Sequence, residues 1–103
     1  MANVVKVAQI SDVPPGQAKT VTAGDQRIAL CNVEGTFYAV DDLCTHDYGP
    51  LGEGDLYGAE IECPRHGAIF DVRTGEVIAL PAMKPLNTYE IRVDGEDISI
   101  VLP

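Results

Sequence analysis

Alternation of apolar and polar positions dominates the chain, and helical periodicity is hard to find. From Thr88 to Val93, Tyr89, Ile91 and Val93 share one face while Thr88, Glu90 and Arg92 share the other. Asp94-Gly95 follows, and then Ile98, Ile100 and Leu102 alternate with Asp97, Ser99 and Val101. An Asp-Gly step between two alternating runs predicts a β-hairpin, because a tight turn needs positive φ angles that Gly adopts freely and Asp tolerates. A second hairpin is predicted over Arg27–Val33, Glu34-Gly35 and Thr36–Asp41, and a third over Ala68–Val72, Arg73-Thr74-Gly75 and Glu76–Leu80. Val4–Ala8 reads as a strand that Pro14-Pro15-Gly16 closes off, and Ala18–Thr22 as another. Short strands with turns about every 8–12 residues predict an all-β fold, an antiparallel sandwich or barrel.

One stretch departs from this pattern. Residues 43–67 hold both histidines, two of the three cysteines and glycines 49, 52, 54, 58 and 67. Gly-rich connections between hairpins are where a rigid scaffold carries its chemistry. Cys31, by contrast, lies in the apolar run Ile28-Ala29-Leu30-Cys31 and reads as a small buried hydrophobe.

Length and charge narrow the functions open to such a fold. At 103 residues the chain is one domain, with no room for a separate catalytic domain. A formal charge of −9 disfavours nucleic acid and anionic membrane surfaces as partners, since both select for basic patches. The start, Met1-Ala2-Asn3-Val4-Val5-Lys6, lacks a basic segment followed by an apolar one, so no secretory signal is expected. No apolar run reaches the ~18–20 residues of a membrane span. A cytoplasmic address is therefore expected, where neighbouring Cys and His residues point to metal rather than to disulfides. From Ile28 to Pro64 there is no Lys or Arg, only Glu34, Asp41, Asp42, Asp47, Glu53, Asp55, Glu60 and Glu62. That acidic run is either a solvated face or a surface that steers basic partners.

Cys44-Thr45-His46 and Cys63-Pro64-Arg65-His66 together spell C-x-H-x16-C-x2-H. Two thiolates and two imidazoles suit a Cys2His2 zinc site or a two-iron cluster whose irons take different ligands. Zinc sites usually open with a C-x2–4-C knuckle in which one turn grips one ion with two thiolates. Here each short motif offers one Cys and one His, which suits a dinuclear cluster better. A Cys44–Cys63 disulfide with two incidental histidines is a further alternative, disfavoured by the expected address.

With these residues the chain resembles the Rieske family over nearly its whole length. Cys44-Thr45-His46 with Gly49-Pro50-Leu51 looks like the first cluster loop, and Cys63-Pro64-Arg65-His66-Gly67 like the second. Phe70-Asp71-Val72-Arg73-Thr74-Gly75-Glu76-Val77, then Pro81-Ala82 to Pro85-Leu86, is similar to Rieske-type ferredoxins of bacterial aromatic-ring-hydroxylating dioxygenases. The resemblance implies a single Rieske domain, with a cluster-binding subdomain of approximately 42–80 inserted in a base formed by 1–41 and 81–103. It implies one 2Fe-2S cluster, with Cys44 and Cys63 on one iron and His46 and His66 on the other, near the surface. Pro81 would sit on a proline loop that shields the cluster. Tyr48, beside His46, could tune it, and Arg65 could help a partner dock, or both could be ordinary loop residues.

High-potential members carry a clamping disulfide, whose cysteines would fall at Gly49 and Arg65, and Ser and Tyr hydroxyls where this chain has Ala68 and Phe70. Donors to sulfur stabilise the reduced cluster, so their loss predicts a potential near the low end of the range, roughly −150 mV. The implied function is a soluble one-electron carrier between a flavin-dependent ferredoxin reductase and a terminal oxygenase. It would be an electron-transfer component rather than an enzyme, and a monomer. Both histidines are spent on the cluster, leaving none for a 2-His-1-carboxylate iron. The alternative is a non-catalytic subunit of a larger reductase, such as the nitrite reductase small subunit.

Overall fold

The structure is a computed structural model that describes residues 3–42, 51–52, 54–63, 67–79 and 84–102. Among the described residues ten strands run β1 (Asn3–Gln9), β2 (Ala18–Ala23), β3 (Gln26–Val33), β4 (Thr36–Asp41), β5 (Asp55–Tyr57), β6 (Glu60–Glu62), β7 (Ile69–Asp71), β8 (Val77–Ala79), β9 (Thr88–Asp94) and β10 (Asp97–Leu102). A 3-10 turn, Ile10–Asp12, follows β1. The expected all-β antiparallel fold is what the chain builds.

The strands form two sheets. Six pair in the order β1-β10-β9-β4-β3-β2, and four in the order β5-β6-β7-β8. Every pairing is antiparallel. β1 and β2, at the two ends of the larger sheet, come side by side and almost close it into a barrel. The smaller sheet is contiguous in sequence and falls between β4 and β9.

The hairpins predicted from alternation are present. Glu34 and Gly35 turn β3 into β4 with φ of 53° and 96°, the two positive angles that match the strand twist. The last hairpin differs by one residue from the Asp-Gly reading. Asp94 still pairs with Asp97, so Gly95 and Glu96 make the turn. β5 and β6 were not expected, because 43–67 read as glycine-rich connection. Leu56 and Ile61 nevertheless face one another across a two-residue turn at Gly58-Ala59.

Two apolar clusters hold the sheets. Inside the barrel lie Val13, Val21, Ile28, Leu30, Ile98 and Ile100. Between the barrel wall and the small sheet lie Ala29, Cys31, Val40, Leu51, Ile61, Cys63, Ala68, Phe70 and Val72. β3 feeds both, so Ile28, Ala29, Leu30 and Cys31 are all fully buried. A strand covered on both faces reads as a continuous apolar run rather than an alternating one. This accounts for the Ile-Ala-Leu-Cys sequence and for Cys31 as packing.

Candidate metal centre

The second cysteine motif sits at the tip of the β6–β7 hairpin. The Cys63 amide donates to the Ala68 carbonyl at 2.7 Å, and the Gly67 amide donates back to the Cys63 carbonyl at 3.1 Å. Gly67 carries φ +76°, a conformation that favours Gly. Cys63 is buried, grouped with Leu51, Ile61, Ala68 and Phe70. Its thiol is free, as is that of Cys31. Burial pushes the Cys31 thiol up to about 12, with the Asp42 carboxylate adding to the effect.

Cys44, His46 and His66 lie outside the described residues, as do Tyr48, Gly49, Arg65 and Pro81. Among the described residues, accordingly, no group of three or more His, Cys, Asp or Glu gathers as a metal site. The feet of the first loop are described. It leaves the barrel at Asp42 and returns at Leu51, and one carboxylate holds both ends. Asp42 Oδ1 accepts the Leu51 amide at 2.8 Å and the Gly52 amide at 2.5 Å. Its Oδ2 accepts the Thr20 hydroxyl and the Arg27 guanidinium, each at 3.1 Å. Leu51 then inserts into the cluster that holds Cys63. The return limb of the first loop is thereby packed in the same core as the start of the second.

Glycines let the returning limb pass close to the barrel and to β6 of the small sheet. A Cβ on Gly52 would overlap Thr20, and one on Gly54 would overlap the Glu62 carbonyl. On the far side, the Leu86 amide donates to the Gly75 carbonyl at 2.8 Å, anchoring the limb that returns to β9.

The acidic run divides in space. Asp42 is buried and ion-paired to Arg27, so it is no part of a steering face. Asp41 accepts the Tyr89 hydroxyl at 2.5 Å and the Asn87 amide at 3.1 Å. Tyr89 is pushed up to about 12 by burial first, then by that hydrogen bond and charge. On the small sheet Asp55 stands directly opposite Glu62, and Glu60 opposite Asp71. Arg73 meets Asp71 with Nε at 3.1 Å and a terminal nitrogen at 2.9 Å, and holds its carboxyl below the usual range. Asp55 and then Glu62 are the charges that raise the exposed Tyr57. Asp47 and Glu53 lie outside the described residues.

Sequence reasoning missed Asp42, Thr20, Arg27 and Gly52 as parts of the site. The available signal was an Asp at the end of a buried strand, two residues before the first cysteine. What the arrangement offers is a buried thiol at a closed hairpin tip, backed by Phe70 and Leu51. That is a dry, soft-donor environment of the kind an iron–sulfur cluster takes. Among the described residues no helix is long and apolar enough to cross a membrane.

Residues 3–90 match the family model described as the Rieske [2Fe-2S] domain. The chain is 43% identical to the 3-phenylpropionate/cinnamic acid dioxygenase ferredoxin subunit of Shigella boydii serotype 4 (strain Sb227), over 98% of this chain and 95% of that one. Among solved structures it is similar to the ferredoxin of carbazole 1,9a-dioxygenase from Nocardioides aromaticivorans IC177. There the TM-score is 0.91 and the identity 33%, covering 95% of this chain and 96% of that one. It is also similar to a chain of the complex of reduced oxygenase and oxidized ferredoxin in carbazole 1,9a-dioxygenase. That match has a TM-score of 0.88 and 38% identity, covering 94% of this chain and 91% of the other.

Proposed function

The chain belongs to the Rieske [2Fe-2S] domain family, and on that premise we propose that it is the ferredoxin of a multicomponent ring-hydroxylating dioxygenase. It receives single electrons from a flavin-dependent reductase and passes them to a terminal oxygenase. One observation carries the reading. The likeness to a dioxygenase ferredoxin subunit spans 98% of this chain and 95% of that protein, so what is shared is a whole carrier rather than one domain of an oxygenase. The carbazole 1,9a-dioxygenase ferredoxin forms a complex with its oxygenase, and an oxygenase of that kind is the acceptor proposed here.

One 2Fe-2S cluster, with two His replacing two Cys on one iron, supplies one-electron chemistry when bound. We assign Cys44 and Cys63 to one iron and His46 and His66 to the other. The buried Cys63 thiol and a family match that spans all four positions support this. Residues 42–80 act as the cluster-binding subdomain, seated on a base of 1–41 and 81–103. Within it Leu51, Ile61, Phe70 and Val72 exclude water from the Cys63 side. With Ala68 and Phe70 where high-potential members carry hydroxyls, this chain offers the sulfur atoms no donor from either side chain. Outside, Asp55, Glu60 and Glu62 form an acidic face that draws basic partners into short-lived encounters. The carrier works as a monomer in the cytoplasm, a compartment that keeps Cys31 reduced.

The test is an EPR spectrum of the dithionite-reduced protein with iron and sulfide analysis and a redox titration. Two irons, two sulfides, an average g-value well below the free-electron value and a midpoint near about −150 mV are expected. A colourless zinc protein would overturn the reading, and a midpoint above about +100 mV would overturn the low-potential assignment. Tight copurification with a large siroheme protein would shift the function to a reductase subunit.

A further inference from the structure

We propose that Asp42 is the positioning residue of the first cluster loop, and that its buried charge, opposed by Arg27, sets the reduction potential. The inference rests on the reading of Cys44 and His46 as ligands.

Three observations support it. Asp42 has a fully buried side chain, whereas the Arg27 side chain is 62% exposed. The carboxylate therefore sits in the protein interior while its counter-charge is weakened by solvent. Next, its four partners come from three places: Thr20 on β2, Arg27 on β3, and the backbone of Leu51 and Gly52 at the return of the loop. All four are donors, which an ionised carboxylate satisfies with its four lone-pair sites. Few side chains could replace it. An Asn would turn its own NH2 toward donors whichever way it faced. Finally, Asp42 lies two residues before Cys44, and two residues of chain span at most about 7 Å. At that range a charge in the interior is felt strongly. The field already reaches into the core behind the loop, where it acts on Cys31.

Two consequences follow from one carboxylate. It holds the two ends of the loop together, which fixes the span that Cys44 and His46 have to work from. It also places a negative charge beside the cluster, which disfavours the added electron of the reduced state. Arg27 opposes the second effect and shares the first only at the outgoing foot: its side chain meets the Asp42 carboxylate, and its backbone carbonyl accepts the Asp42 amide at 3.1 Å, a bond that Arg27→Gln keeps.

The experiment compares holoprotein of wild type, Asp42→Asn and Arg27→Gln by redox titration and by iron release to a chelator. Asp42→Asn is expected to raise the ratio of reduced to oxidised protein about tenfold at a fixed potential, an upward shift of about 59 mV. It should also release iron about tenfold faster. Arg27→Gln is expected to shift the ratio about threefold in the opposite direction while releasing iron within about twofold of the wild-type rate. A purely structural role would not give opposite signs. Shifts of the same sign, or no shift in either variant, overturn the electrostatic half. Release at the wild-type rate from Asp42→Asn overturns the positioning half. Should Asp42→Asn fail to hold a cluster, positioning is supported and the sign of the Arg27→Gln shift still decides the charge. A wild-type protein lacking two irons and two sulfides overturns the ligand reading instead.

Discussion

The two sheets of this molecule are built to different standards. Barrel strands run six to eight residues and enclose Ile28, Leu30, Ile98 and Ile100. The strands of the small sheet are three residues each, at the lower limit of strand length in globular proteins. Their core is not their own. Ala29, Cys31 and Val40, which back Ile61 and Phe70, belong to β3 and β4 of the barrel. The cluster inside the barrel draws no residue from the small sheet, while the small sheet's core draws on the barrel wall. The region assigned the task of presenting ligands in the proposed function shares its core with a neighbour that has no such duty.

Removing the cluster should widen this difference most. The metal is expected to contribute folding free energy to the half that holds it. In apoprotein, amides of Ile61, Phe70 and Val77 should lose hydrogen-exchange protection while those of Leu30, Ile98 and Ile100 keep theirs. Equal protection in both sheets would erase the distinction. Phe70→Ala comes next, at about 3–5 kcal/mol, against about 2–5 kcal/mol for Ile100→Ala. The two should differ in manner. With Phe70→Ala, cluster absorbance is lost well below the temperature at which the barrel unfolds. With Ile100→Ala both transitions move down together.

Smaller effects probe the joints. Tyr89→Phe removes the bond that ties β9 to the foot of β4, a loss of about 1 kcal/mol. Its pH dependence has a definite sign. Tyr89 titrates near 12 when folded, against an ordinary value of 10. Its contribution is whole below pH 10 and fades as pH rises from 10 to 12. Alkaline denaturation curves of the wild type should therefore converge on those of the variant. The smallest effect concerns docking. Electron delivery to an oxygenase should slow as salt rises toward about 0.5 M, because screening shortens the reach of surface charge. Asp55→Asn with Glu62→Gln should slow it about twofold at low salt. Glu96→Gln, on the barrel, should not.

The same contrast governs what could be read from the sequence. Alternation found β4, β9 and β10, because a strand with one buried face writes that face at every second position; turn residues delimited β1, β2, β7 and β8, and a continuous apolar run marked β3. β5 and β6 escaped because three residues are too few to display a period and their glycines suggested loop, whereas β7 and β8, equally short, were marked by the Arg73-Thr74-Gly75 turn between them. The Cys and His motifs were legible because soft donors at that spacing are rare. Asp42 was not. In the sequence it is one acid among eight, and only the fold separates it from Asp55 and Glu62 by turning it inward. Charge counted along a chain says nothing about which charges face water.

The hydrogen bonds between Asp41 and Asn87 have one more consequence. The chain leaves the barrel at Asp41 and rejoins it at Asn87, and those two residues bond each other through both backbone and side chain. Everything from 42 to 86 is topologically a single excursion between β4 and β9, which are antiparallel neighbours. Replace that excursion with a tight turn and the remaining strands form an uninterrupted meander, each lying beside its neighbours in sequence, with β1 and β2 meeting at the seam. The small sheet with Cys63 at its hairpin tip thus enters the barrel at one place only among the described residues, between two neighbouring strands.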